Sequence, residues 1–249
     1  MRDYKIELEK RCEYIRQTVM SAHAEGVVFG NSGGKDCALV GILCRKALGE
    51  NFRVVSVMLP CESRRNFESD LRDALSVCDK FGIESYTIDI TEQKKLVEEG
   101  VSLVCPITPA GKNNIAPRLR MTTLYTIGAS LNLLVAGTGN KCERYMGYFT
   151  KWGDGACDFN PISDLFVSEV YEFLEYLECP REIIEKAPSA GLFEGQTDES
   201  EMGVSYADIE KYIKGESVND GAREIIERYH QRSRHKLDPI STFENSNKA

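Results

Sequence analysis

Val27-Val28-Phe29-Gly30-Asn31-Ser32-Gly33-Gly34-Lys35-Asp36 decides the architecture. Three apolar residues run into a glycine-rich turn, and Ala38, Leu39, Gly41, Ile42 and Leu43 follow as a small and apolar helical run. The order is buried strand, tight loop, helix. Downstream the unit recurs. Residues 54–59 read as a strand, 66–81 as a helix, 86–90 as a strand and 91–104 as a helix. Residues 105–116, with Pro106 and Pro109, carry loop chemistry. A helix over 117–131 then leads into a strand over 133–137. Upstream, Ile6, Cys12, Ile15, Val19 and Met20 give residues 4–24 helical spacing. Alternating strands and helices imply right-handed crossovers and an α/β fold: a mostly parallel twisted sheet in a three-layer α/β/α sandwich. Such sheets bind ligands at the carboxyl ends of their strands.

The remainder is less regular. Residues 138–164 read as a loop rich in Gly, Asp and Asn, 166–178 and 180–187 as helices, and 188–203 as a polar loop able to move. Helices over 205–214 and 219–233 complete the chain. With 249 residues and no evident linker, one domain is expected.

A net charge of −8 argues against a nucleic-acid binder that works through overall charge. It leaves room for a phosphate-bearing small molecule in a local positive pocket. The nine cysteines contain no C-x-x-C pair, and His23, His230 and His235 have no zinc-ligand spacing. Scattered free thiols fit a reducing cytoplasm. No stretch approaches the ~18 apolar residues of a membrane span, and the N-terminus is charged.

Gly30, Asn31, Ser32, Gly33, Gly34 and Lys35 suit an anion. Glycines let backbone N–H groups approach a phosphate, the following helix start adds partial positive charge, and the Ser hydroxyl and Lys ammonium add donors. Asp36 would repel phosphate directly, but it makes sense through a bridging Mg²⁺. The stretch is not a kinase-type P-loop, because Phe29 stands where the first glycine belongs and Asp36 where Ser or Thr belongs. Cys37, at a helix start, is expected to carry an acidified, reactive thiol.

Ser-Gly-Gly-x-Asp after a first strand resembles the pyrophosphate loop of the ATP pyrophosphatases, whose fold is Rossmann-like, of the adenine nucleotide alpha hydrolase type. A second stretch, Gly147-Tyr148-Phe149-Thr150-Lys151-Trp152-Gly153-Asp154-Gly155-Ala156-Cys157-Asp158-Phe159-Asn160-Pro161, is similar to the signature of the NAD synthetases. Further matches follow in the same order: Asn113 to Met121, Gly137-Thr138, Glu143, Lys186 to Ala190, and His235-Lys236.

This resemblance, over about residues 26–243, implies an ammonia-dependent NAD synthetase. Such a ligase adenylates the nicotinate carboxylate of nicotinic acid adenine dinucleotide (deamido-NAD) with ATP, then amidates it with ammonia to give NAD, AMP and pyrophosphate. It implies ATP contacts at residues 30–37, Thr138 and Ser189, and deamido-NAD contacts at Arg118, Lys151, Asp158, His235 and Lys236. It also implies Mg²⁺ held by Asp36 and Glu143, loops at 105–116 and 189–203 that close over the site, and a homodimer without a glutaminase domain. No covalent nucleophile is required. Two departures stand out: Cys37 replaces a serine, and Val167 replaces an ATP-contacting lysine, for which Lys35 could substitute. A tRNA-thiolating or deazaguanine-forming ATP pyrophosphatase, and a nucleotide sensor without turnover, are the alternatives.

Overall fold

The computed structural model describes residues 2–63, 66–186 and 197–243. Helix α1 (Tyr4–Ser21) begins at Asp3, whose carboxylate accepts the Lys5 and Ile6 N–H groups. Strand β1 (Gly26–Gly30), helix α2 (Lys35–Leu48) and strand β2 (Arg53–Met58) form the first crossover unit. A single π turn, Asn66–Asp70, then feeds helix α3 (Leu71–Phe81), followed by strand β3 (Glu84–Thr87) and helix α4 (Thr91–Ser102). Short helix α5 (Pro109–Asn113), helix α6 (Ile115–Leu131) and strand β4 (Leu133–Val135) come next.

All four strands are parallel, in the order β3-β2-β1-β4. The chain therefore builds outward from β1 to β3 and then returns to the opposite side of β1. The reversal of direction between β1 and β4 splays the following loops apart and opens a crevice at the strands' carboxyl ends. One further parallel bridge, Ala136 to Phe159, extends the β4 side.

Side chains alternate across the sheet. Val27, Phe29 and Val54 pack with Ile15 of α1 and Leu39, Ile42 and Leu43 of α2. Val28, Val55, Val57 and Val135 pack with Ala116 and Leu124 of α6. Each face is sealed by helices, giving the expected sandwich. Full burial of a side chain such as Phe29 or Ile42 contributes roughly 1.5–3 kcal/mol, and both are essentially inaccessible.

The last third adds helices α7 (Lys141–Met146), α8 (Val167–Tyr176), α9 (Arg181–Ile184), α10 (Asp198–Met202), α11 (Tyr206–Ile213) and α12 (Asp220–Leu237). Cys142 and Met146 of α7 share an apolar cluster with Val167, Ile209, Ala222 and Ile226. That cluster brings α12 beside the crevice. Among the described residues, no helix is long and apolar enough to cross a membrane.

Four expectations change in detail. The expected loop at 138–164 contains α7, and the expected loop at 105–116 contains α5. Of the loop expected at 189–203, residues 189–196 lie outside the described residues, and Asp198–Met202 are helical. Strand β3 ends at Thr87 instead of reaching Ile90, although Ile88 and Ile90 still donate to Met58 and Pro60 carbonyls. Pro60 has no N–H to return, so the ladder stops being reciprocal there.

Candidate active site

A cavity of about 810 Å³ occupies the crevice. Its floor is the turn after β1, its flanks are the ends of β2 and β4, and α6, α7 and α12 supply the remaining walls. The turn is held from below. Asn31 donates its backbone N–H to Val57 O and its side-chain amide to Ser56 Oγ, while its Oδ1 accepts the Gly33 N–H at 3.0 Å. Gly33 has φ +70°, and a Cβ there would lie 2.2 Å from Asp70 O, so only glycine fits. Gly34 caps α2 without a side-chain hydrogen bond, so that among the described residues the first-turn N–H groups of α2 are open to an anion.

Lys186 ties this turn to α3. Its Nζ lies 2.7 Å from both Asp70 Oδ1 and Asp73 Oδ2 and donates to Gly33 O at 3.3 Å. The lysine thereby joins the loop's backbone to two buried carboxylates.

Asp36 and Glu143 meet on the next stretch of wall, and Asn140 organises both. Its amide donates to Asp36 Oδ1 at 3.3 Å. Its side-chain oxygen accepts the Glu143 N–H, and its own N–H donates to Glu143 Oε2 at 3.2 Å, a capping box that starts α7. Lys35 Nζ donates to Asp36 Oδ2 at 2.7 Å. Burial, and then the charge of Asp36, push the Glu143 carboxyl up to about 8, against the pull of Lys35 and the Asn140 N–H.

A carboxyl whose folded pKa lies above its unfolded value stabilises the fold fully at low pH. That contribution is lost as pH rises through the folded pKa. Glu143→Gln keeps an acceptor for the cap and removes the charge. We expect it to stabilise the ligand-free protein by about 1–2 kcal/mol at pH 8.5. The gain should vanish near pH 5 in parallel thermal melts, and an equal gain at both pH values would contradict this electrostatic account.

The donor set fits Mg²⁺. That ion takes one or two protein carboxylates and completes its octahedron with phosphate oxygens and water instead of an all-protein cage. Among the described residues, no cluster of three or more His, Cys, Asp or Glu side chains could hold a metal alone.

The other walls carry cations. Arg120 of α6 donates Nε to Leu59 O at 3.0 Å and forms no ion pair among the described residues, and burial lowers its pKa. Arg228, Arg232 and Lys236 line the α12 side. Lys236 donates to Gly147 O and Phe149 O, both at 2.6 Å.

The structure gathers most of the expected nucleotide residues. Gly30, Asn31, Ser32, Gly34, Lys35, Asp36, Cys37, Thr138, Glu143 and Lys236 line the cavity, and Gly33 shapes the turn. Ser189 lies outside the described residues. Arg118, Lys151 and His235 form a separate surface group: the Arg118 guanidinium approaches Lys151 O at 3.4 Å, and Lys151 donates to His235 O. Asp158 accepts the Val135 N–H at 2.7 Å and the Tyr125 hydroxyl at 3.3 Å, bracing β4 off the cavity wall.

The expected acidified thiol is overturned. Cys37 is buried, and burial raises its pKa more than the Ser32 hydroxyl, 3.4 Å from Sγ, lowers it. Asn140 and Arg120 escaped the sequence reading. The Asn140-x-x-Glu143 spacing was the available signal for the first.

A family model described as NAD synthase matches residues 7–247. The chain belongs to the NAD synthase family. It is thus a ligase of NAD biosynthesis that forms a C–N bond. The NH(3)-dependent NAD(+) synthetase of Archaeoglobus fulgidus is 44% identical over 235 residues, 93% of each chain. The structure of an NMN synthetase from Francisella tularensis superposes with a TM-score of 0.91 at 38% identity, covering 97% of this chain and 99% of that one. An NH3-dependent NAD synthetase from Campylobacter jejuni, solved with nitrate, gives 0.79 at 31% identity over 98% and 100%. These NAD synthase relatives do not favour the RNA-modifying or sensor alternatives.

Proposed function

We propose that the chain is an ammonia-dependent NAD synthetase that adenylates a nicotinate carboxylate and then replaces AMP by ammonia. The observation that carries this reading is the convergence of the Gly30–Lys35 turn and the Asp36–Glu143 pair on one cavity. An anion cradle beside a carboxylate pair suits a nucleoside triphosphate with its divalent cation.

The free N–H groups at the start of α2, with the Ser32 hydroxyl, receive the β- and γ-phosphates. Asp36 and Glu143 would hold Mg²⁺, which when bound would withdraw charge from the phosphate oxygens. A nicotinate oxygen attacks the α-phosphorus, the bond to the β-phosphate oxygen breaks, and pyrophosphate departs into the cradle. Arg120, on the facing wall, stabilises the charge that develops. Ammonia attacks the acyl carbon, and AMP leaves with the bridging oxygen. Positioning supplies the remainder, with Thr138 and Ser189 as nucleotide contacts and Arg118, Lys151, Asp158, His235 and Lys236 as contacts for the dinucleotide.

A second acceptor merits a direct comparison. The Francisella NMN synthetase superposes better than the Campylobacter NAD synthetase, 0.91 against 0.79, and Arg118, Lys151 and Asp158 do not line the cavity. Both facts favour nicotinic acid mononucleotide as an alternative to the dinucleotide. The test is kcat/KM for each acceptor with MgATP and ammonium, following amide and AMP. AMP formation with neither acceptor would sink the proposed function.

A homodimer and a cytoplasmic location complete the reading. Leu96, Val101, Leu103 and Val104 expose an apolar strip along and beyond α4, Leu103 at 90%, of the kind that subunit contacts cover. All nine cysteines are free thiols, as in a reducing compartment. Light scattering that found a 28.0 kDa particle would exclude the dimer.

A further inference from the structure

Lys35 carries a charge that the mechanism above does not use. It is 6% exposed, yet it lines the cavity. Its Nζ lies 2.7 Å from Asp36 Oδ2 and 5.7 Å above the Tyr206 ring. Adjacent residues of a helix point about 100° apart and do not face each other. A bond between Lys35 and Asp36 therefore requires the lysine to curl back over the first turn of α2 toward the carboxylate pair. The surrounding charges explain the curl. Asp36 and Glu143 share this wall, and Tyr206 donates its hydroxyl to Asp198 at 2.9 Å. Without ligand, the Lys35 ammonium is drawn to the Asp36 carboxylate of this acidic wall.

We propose that Lys35 is a place-holder: its ammonium neutralises the Asp36 side of the carboxylate pair until a divalent cation arrives with ATP, and then moves to the phosphates. The proposal rests on the reading of Asp36 and Glu143 as cation ligands. An ammonium on a four-carbon stem is suited to such a transfer. It is a compact point charge with three rotatable donors, whereas a guanidinium is locked into a planar fork. A dication outcompetes a single positive charge for two carboxylates, and the incoming triphosphate offers the displaced lysine a new anion beside it. The device makes cation binding conditional on nucleotide, because a bare cation must expel the lysine into a pocket that holds no phosphate.

Mn²⁺ binding to the ligand-free protein, followed by electron paramagnetic resonance, tests this without any turnover. Lys35→Gln should bind Mn²⁺ about tenfold more tightly than the parent and bind ATP in the presence of Mn²⁺ about tenfold more weakly, reflecting the freed carboxylate and the lost phosphate contact. Lys35→Arg, which keeps the charge, should leave ligand-free Mn²⁺ binding weak and reports even if the glutamine variant folds poorly. Equal ligand-free Mn²⁺ affinity in parent, Lys35→Gln and Lys35→Arg, with the parent's Mn²⁺ binding in the presence of ATP still abolished by Asp36→Asn, would overturn the place-holder and leave the cation site standing. Mn²⁺ binding with ATP that survives Asp36→Asn and Glu143→Gln together would overturn the cation site itself.

Discussion

Asp36→Asn lowers kcat/KM for ATP by about a thousandfold or more, the scale expected when a charged partner of the transferring phosphates is lost. The substitution keeps shape, so the loss is electrostatic. Both carboxylate oxygens already accept hydrogen bonds, one from Asn140 Nδ2 at 3.3 Å and one from Lys35 Nζ at 2.7 Å. An asparagine has only one acceptor end. Whichever way its amide turns, an NH₂ group faces another donor, and the proposed cation site loses a formal charge as well. Lys35 is left without its nearest counter-charge. Pyrophosphate release, coupled to an absorbance readout, measures the effect. Activity within tenfold of the parent would remove Asp36 from the reaction and, with it, the account of the cavity as a magnesium–triphosphate site. A normal melting temperature alongside the lost activity shows that the fold survives.

Lys186→Met destabilises the protein by about 3–5 kcal/mol, the usual result of removing one partner from a buried ion pair. Asp73 is 5% exposed and Asp70 7%, and Lys186 lies between them. Among the described residues, Asp73 Oδ1 has only the exposed Arg72, at 3.6 Å. Methionine restores the volume but none of the charge, and it also withdraws the hydrogen bond to Gly33 O. The melting temperature should fall by roughly 6–20 °C, given about 2–4 °C per kcal/mol at this size. Adding Asp73→Asn should recover part of the loss, because one uncompensated charge is then gone. An unchanged melting temperature in the single variant would mean that solvent already screens both aspartates.

Much of this is legible in the sequence. The turn at residues 30–36 announced itself because glycines, an adjacent apolar strand and a helix start leave few alternatives, and strand–helix alternation set the layers. Asp36 follows from the chemistry of the loop and Glu143 from the resemblance, and both line the cavity. Four kinds of feature were hidden. Helix α7 is a single capped turn inside a Gly- and Asp-rich stretch, too short for periodicity to show. The acidity of Cys37 does not follow from its place at a helix start, because its depth depends on how α2 meets the sheet, and burial outweighs the hydrogen bonds from Ser32. Arg120 looked no different from Arg118, two residues earlier. Only the rotation of α6 sends one into the cavity and the other to the surface. Lys186 read as part of a motif, but its partners at Asp70 and Asp73 lie more than a hundred residues away.

Asn140 has a wider meaning than its place in a cap. It is inaccessible to solvent, and the groups that begin α7 also hold Asp36 and Glu143. Drift at this position is therefore constrained from two directions at once. An aspartate would preserve the winding of the helix but add a negative charge to a neighbourhood already short of positive ones. A serine would relieve the charge but is too short to span both acidic partners. Protein engineers who wish to retune the proposed cation site will have to redesign the start of α7 with it.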